Sequence, residues 1–276
     1  MNVPRSWLVT SFVLSLISLA GPHAAAQSPS KDEREESLAD FLRQAREYRV
    51  KLADRPPAEF HDRPLIRFTK VLSEVDDAAM FVWLSNGRPV VVETMLVQRT
   101  LGLYHEFQSL ALEPLQAERG GKTVWKPRQA GIAFAPVPDC DRPADSAARR
   151  FTQMKSLAER FRAQAVKGPP FYAEGSVYHL RLLPQPMLRY RDSQQPERDG
   201  ALFAFCQDTD PEALLLIESR LRDGQPGWEF AFAPMTGWPV QAFHRDEPIW
   251  SVERQHPAKD PELTYFVAGP YPLLEK

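Results

Sequence analysis

The sequence predicts an α+β fold, predominantly antiparallel β, built from an internal duplication of a helix plus β-meander unit. Three observations point there. PLIRFTKVLSEVDDAAMFVW at 64–83 and PMLRYRDSQQPERDGALFAF at 186–205 align at a constant offset of 122, with identities at Pro64/Pro186, Arg67/Arg189, Asp77/Asp199, Ala79/Ala201 and Phe81/Phe203. An apolar stripe at helical spacing precedes each stretch. After each come short runs of β-branched and aromatic residues bounded by turn residues, as in strands.

The first helix is expected to start at a capping box formed by Ser30 and Glu33. Leu38, Phe41, Ala45, Tyr48 and Leu52 then recur at helical spacing, which predicts one helix through all five. Asp145 can cap the second, where Phe151, Met154, Ala158, Phe161 and Ala165 fall in the same phase at an offset of 113. Pro56-Pro57 and Pro169-Pro170 stop the two helices.

Two hairpins follow. DAAMFVWLSNGRPVVVETML carries Asn86-Gly87, a strong hairpin turn, and DGALFAFCQDTDPEALLLIE occupies the matching place. Taken alone, 210–220 has a helix signature, with an Asp cap and Pro at the first helical position. Its partner RPVVVETML is β-branched, so both segments are predicted as strands. VVVE at 90–93 matches LLIE at 215–218, Glu106-Phe107 matches Glu229-Phe230, and Trp125 matches Trp250. Both hairpins are apolar on both faces and must be covered, with the two helices as the obvious cover. SVYHLRLL at 176–183 alternates like a strand added to the second copy. Further strands are expected at 103–112, 228–232, 239–243, 249–253 and 263–267. Arg67 with Asp77, and Arg189 with Asp199, are expected to form ion pairs or turn caps within each copy. The expected organisation is a signal peptide over 1–26 and a single α+β domain over 27–276, made of repeats at about 34–127 and 145–253.

The export segment is read from Arg5, the apolar run Trp7 to Ala20 and the small residues Ala24-Ala25-Ala26. That run is shorter than the roughly 20 residues needed to span a bilayer, and no later segment approaches that length. The mature chain is therefore expected to be exported, periplasmic or extracellular, without a transmembrane segment. It carries 33 basic and 36 acidic residues with no run of one sign, which argues against a nucleic-acid partner. Cys140 and Cys206 both fall in the exported part, where a bridge between them is permitted. The alternative is that Cys206, in ALFAFC, is a small buried side chain.

LLPQPMLRY at 182–190 and DGALFAFCQDTDPEALLLIESR at 199–220, with HEFQSL at 105–110 and the signal segment, resemble a family of uncharacterised exported planctomycete proteins. The resemblance covers most of the mature chain. It implies export and carries over no catalytic residue.

Candidate chemistry is sparse. His105-Glu106 opens HEFQS, akin to the zinc motif HExxH, but position 109 is Ser109 instead of the second histidine. Strand alternation would also put His105 and Glu106 on opposite faces. GGKT at 120–123 resembles the end of a phosphate loop without its leading glycine, since position 116 is Gln116, and reads as a surface turn. Asp208, Asp210 and Glu212 alternate in the second hairpin loop, and such oxygens suit calcium, although an EF-hand's glycine turn and distal glutamate are missing. Glu106 and Glu229, matched in the alignment, suggest paired glycosidase carboxylates, but features shared by both copies are more economically explained by folding. His105, opposite Trp228 in the alignment, marks a difference between the copies. No cofactor is expected. The expected function is a noncatalytic binding or assembly module of the cell envelope, with an envelope protein or a glycan as partner. The alternative is an envelope hydrolase with an acid/base site near His105 and Glu106.

Overall fold

The computed structural model describes residues 31–70, 74–169 and 172–271. The expected signal segment, Ser30 and Pro170 lie outside the described residues. The first half of the chain runs α1 (Lys31–Ala45), β1 (Tyr48–Leu52), β2 (Glu59–Lys70), β3 (Val75–Ser85), β4 (Arg88–Gln98), β5 (Gly102–Ser109), β6 (Leu115–Arg119) and β7 (Lys122–Trp125). After the two-residue β8 (Ala135–Pro136) come α2 (Ala147–Ala158), β9 (Phe161–Lys167), β10 (Ser176–Leu182), β11 (Leu188–Arg191), β12 (Asp199–Gln207) and β13 (Asp210–Arg222). The chain continues through β14 (Gln225–Pro234), β15 (Val240–His244), β16 (Glu247–Val252) and β17 (Tyr265–Tyr271). All strand pairings are antiparallel.

Both helices are shorter than their apolar stripes suggest. Tyr48 and Leu52 lie in β1, and Phe161 and Ala165 in β9. YRVKL and FRAQAVK also alternate with period two, and the residues buried in them are Tyr48, Val50, Leu52 and Phe161, Ala163, Ala165, Lys167. Every fourth residue is shared by a helix period and a strand period, so the apolar positions alone could not separate the two. Ser146, rather than Asp145, caps α2, its side chain accepting from the Arg149 amide.

Strand order is β17-β5-β4-β3-β2 in one sheet and β1-β6-β7 in a separate small one. A larger sheet runs β16-β15-β9-β10-β12-β13-β14-β8, with β11 also pairing on β12. The expected additional strand is β10, and it joins β9-β15-β16 to β12. Residues 210–220 run extended in β13, as predicted.

Pairings in the two halves can be written in parallel. Phe68↔Ala78, Arg67↔Ala79 and Ile66↔Met80 in β2-β3 have counterparts Tyr190↔Gly200, Arg189↔Ala201 and Leu188↔Leu202 in β11-β12. Both hairpins close on two residues, Asn86-Gly87 and Asp208-Thr209, and both shift register just inside the turn, at Trp83/Leu84 and Phe205/Cys206. Counting from those turns keeps the offset at 122 along β4 and β13, so Glu93 stands level with Leu215, not Glu218. Beyond the next turn the offset is 125, which sets His105 against Phe230 and Glu106 against Ala231. Besides the insertion that carries β10, a further difference of three residues therefore falls after β4, where β13 and β14 run on before turning. The alignment of Glu106 with Glu229 is corrected accordingly.

Three large cores stack among the described residues, with a small fourth cluster of Phe68, Val75 and Ala78. The inner faces of β3, β4, β12, β13 and β14 meet in one, with Met80, Val82 and Val92 against Leu202, Leu214 and Leu216. The outer face of β3-β4-β5, with Phe81, Trp83 and Phe107, is covered by α1, β1, β6 and β7. The outer face of β12-β13-β14, with Phe203, Phe205 and Phe232, is covered by α2, β9 and β15. Helices thus supply only part of the cover, because each hairpin also shields the other. Large side chains this deeply buried contribute roughly 1.5–3 kcal/mol apiece. The expected ion pairs are present: Arg67 Nε donates to Asp77 Oδ1 at 2.8 Å, and Arg189 pairs with Asp199.

Cys140 and Cys206 are free thiols. Cys206 packs in the core between the sheets and Cys140 against the core under α2, so β12 separates them and no bridge links them.

Candidate functional site

Three buried polar clusters interrupt these cores. The first lies under α1, where His105 Nδ1 sits 3.0 Å from the Tyr48 hydroxyl and 3.0 Å from Glu93 Oε1. His105 and Glu93 are fully buried. The Arg119 guanidinium stacks over Tyr48 and Tyr271, and donates to the Tyr48 hydroxyl at 3.3 Å. Burial pushes the Glu93 carboxyl up against the opposing pull of His105 and Arg119. Among the described residues Glu93 Oε2 and His105 Nε2 find no hydrogen-bond partner. The corresponding place in the second half is apolar, with Phe161 and Phe230 in ring contact and Leu215 in the same core. No cavity opens onto His105 among the cavities described below.

The second cluster lies at one end of the seam between the two sheets. Lys70 closes β2, Lys167 closes β9, Asp210 and Glu212 open β13, and Glu106 projects inward from β5. Lys70 Nζ donates to Asp210 at 2.6 Å and to Glu212 at 2.8 Å, and Lys167 pairs with Glu212. Lys167 also lies over the Tyr172 ring. Unlike the first cluster, this one borders a cavity of about 180 Å³, lined by Lys70, Lys167, Glu106, Asp210, Glu212 and an apolar strip of Phe68, Val75, Leu96 and Met235. A second cavity of about 470 Å³ shares Lys167 and Trp238 with it.

The electrostatics follow from burial and pairing. Burial raises the half-buried Glu106 carboxyl, Asp210 and Glu212 raise it further, and Tyr265 and Lys70 only partly offset them, which brings it to about 8. Burial and then Glu212 raise Asp210 to about 6 against the pull of Lys70. Burial also acts on Glu212, but Lys70 and Lys167 outweigh it and hold that carboxyl low. At neutral pH these displacements favour the protonated form of Glu106 and the ionised form of Glu212.

These displacements set a pH dependence. Glu106 and Asp210 are raised in the folded state, which retains protons the unfolded chain has released, so both lower stability as pH rises. For Glu106 the window runs from 4.5 to about 8. Glu212 has the opposite sign, since its lowered value contributes stability above its unfolded pKa that is lost in acid. Glu106→Gln should therefore flatten the decline, visible as urea midpoints that converge less between about pH 6 and pH 8 than those of the parent. Parallel curves for the two proteins would mean that Glu106 does not titrate there.

The sequence candidates are thus partly gathered and partly separated. Glu106, Asp210 and Glu212 come together, while His105 points into the other core because β5 alternates. Asp208 sits in the turn with φ +56°, exposed, its backbone carbonyl accepting from Arg181. Lysine ammonium groups occupy the positions around Asp210 and Glu212 that a cation would need. No group of three or more His, Cys, Asp or Glu suited to a metal occurs among the described residues. Glu229 pairs with Arg220 and Arg222, away from Glu106. Gly120 and Gly121 of GGKT form the turn between β6 and β7, with φ +57° and +75°. Lys70 and Lys167 carry no motif, and Tyr48 and Glu93 read from the sequence only as parts of an apolar stripe and a matched strand, although a signal exists. Each continues the two-residue alternation of a buried strand face, as Lys167 does after Phe161, Ala163 and Ala165.

At the opposite end of the seam, Glu218 accepts from Arg88 at 3.0 Å, Tyr190 at 2.9 Å and Arg220 at 2.7 Å. Gly200 is required there, since a Cβ would meet the Tyr190 ring at 2.4 Å. The seam thus has one closed polar end and one that opens into a cavity. Among the described residues no helix is long and apolar enough to cross a membrane. No family model, curated protein or solved structure matches the chain.

Proposed function

We propose that the protein is an exported, noncatalytic binding or assembly module of the cell envelope, periplasmic or extracellular, which engages an envelope protein or glycan through the seam pocket. The observation that carries this reading is the internal pairing of the pocket's charges. Lys70 and Lys167 hold Asp210 and Glu212 in hydrogen bonds through one oxygen of each carboxylate, so the charges are matched within the pocket and the other oxygens are held in fixed positions. A preorganised, charge-matched pocket suits recognition. The likeness of LLPQPMLRY and DGALFAF to exported planctomycete proteins supports the location. The parallel pairings of β1–β7 and β9–β16 support descent of both halves from one doubled unit of helix and meander.

A hydrolase is favoured by one observation, the neutral Glu106 carboxyl beside ionised Glu212, since carboxyls driven apart in pKa suit acid/base work. His105 would take no part, because it faces the other core. The test uses the secreted chain on ester, peptide and glycoside substrates, and as immobilised bait for envelope glycan and protein fractions. Under the binding reading turnover equals that of Glu106→Gln, and ligand retention is lost when Lys167→Met and Glu212→Leu are combined. Turnover that Glu106→Gln abolishes would replace binding by hydrolysis.

A further inference from the structure

The two adjoining cavities constrain what the pocket can accept. The inner one, about 180 Å³, has the volume of about six waters at roughly 30 Å³ each. That is room for one small ring, and too little for a folded peptide segment. Its polar lining offers both hydrogen-bonding senses, with ammonium donors on Lys70 and Lys167, carboxylate acceptors on Asp210 and Glu212, and the Glu106 carboxyl beside them in the same lining. Both ammonium groups are already paired with these two carboxylates, so the paired groups offer a charged ligand no unpaired counter-ion. Phe68, Val75, Leu96 and Met235 add an apolar strip that suits C–H surface. The outer cavity, about 470 Å³, lies on the other side of Lys167 and Trp238, which line both, and is lined further by Glu174, Arg254 and His256.

Resting on the binding reading above, we infer that the pocket takes one sugar unit of an uncharged glycan, its hydroxyls bridging the Lys167–Glu212 and Lys70–Asp210 pairs, with neighbouring units along the outer cavity. A pyranose matches the site because it presents hydroxyls that both donate and accept around its rim and C–H groups on its face. Charged sugars do not match, since the opposite charge each would need is already engaged in an ion pair within the pocket.

The test is calorimetric titration of the secreted chain with four trisaccharides: cellotriose and triacetylchitotriose as neutral probes, trigalacturonic acid as the anion and the deacetylated chitosan trimer as the cation. The inference expects a neutral probe to bind about tenfold or more tightly than either charged one. It also expects affinity to fall about tenfold or more when Lys167→Met is combined with Glu212→Leu, which leaves the net charge unchanged. Trp238→Ala, at the partly buried wall between the cavities, should weaken binding as well and keeps the test open if the paired replacement does not fold. Equal or tighter binding of a charged trisaccharide overturns the inference, as does a neutral probe whose affinity is unchanged in both variants. If no sugar binds while an envelope protein is still retained and is lost in the paired replacement, the glycan inference fails and the binding reading stands. If nothing is retained, both fail.

Discussion

Replacing Tyr48, Glu93 and His105 together by Phe, Leu and Phe stabilises the protein, by about 1–4 kcal/mol, the range found when buried ionic groups give way to well-packed apolar ones. The substitutions reproduce what the second half already carries at the corresponding places, Phe161, Leu215 and Phe230, around an otherwise matching aromatic core. Phe107 packs on Trp125 in one half and Phe232 on Trp250 in the other, both with ring centroids 5.5 Å apart. The wild-type trio buries a carboxyl and an imidazole completely, and one polar atom on each lacks a partner among the described residues. Removing a single member has the opposite effect. His105→Ala takes from Glu93 the group that its carboxyl faces and leaves a cavity beside Phe107, so a loss of roughly 3–5 kcal/mol is expected. Urea unfolding of the triple and single variants measures both, read as midpoint shifts at constant slope. A triple variant no more stable than His105→Ala would mean that the two cores are shaped differently despite their matching strand registers.

Glu212→Ala is the second large effect, with a loss of about 3–5 kcal/mol. Lys167 and Lys70 are 2% and 5% exposed, and Glu212 is the carboxylate they share. After truncation Lys70 keeps its ion pair with Asp210, but Lys167 loses its ion-pair partner and keeps the Tyr172 ring and the more distant charge of Asp210. Lys167→Met with Glu212→Leu removes donor and acceptor together and should cost far less than either truncation, with a coupling of about 0.5–3 kcal/mol in the double-mutant cycle. A loss below about 1 kcal/mol for Glu212→Ala would place water against the lysines and describe the pocket as open rather than preorganised.

Legibility followed the same physics. The hairpins were readable because turn chemistry and two-sided apolarity are local signals, and Asn86-Gly87 alone announces one of them. The lower limits of the helices were not readable, because Tyr48 and Phe161 satisfy a helical and an extended period equally well. The site was half readable. Glu106, Asp210 and Glu212 drew notice as carboxylates in unusual company, yet for separate reasons: one from a zinc-like motif, two from a calcium-like alternation. Lys70 and Lys167 carry no motif, although their phase places them on buried strand faces.

The chain by itself determined that two similar runs of strands would form, that each would be apolar on both faces, and that His105 and Glu106 would point opposite ways. These follow from neighbouring residues and from the alternation of a pleated strand. Only the tertiary structure decided that the hairpins would cover each other, and that the ends of β2, β9 and β13, up to 142 residues apart, would bring two lysines and two carboxylates into one pocket. Register between sheets is set by how whole faces pack, and no local stretch of sequence contains that information.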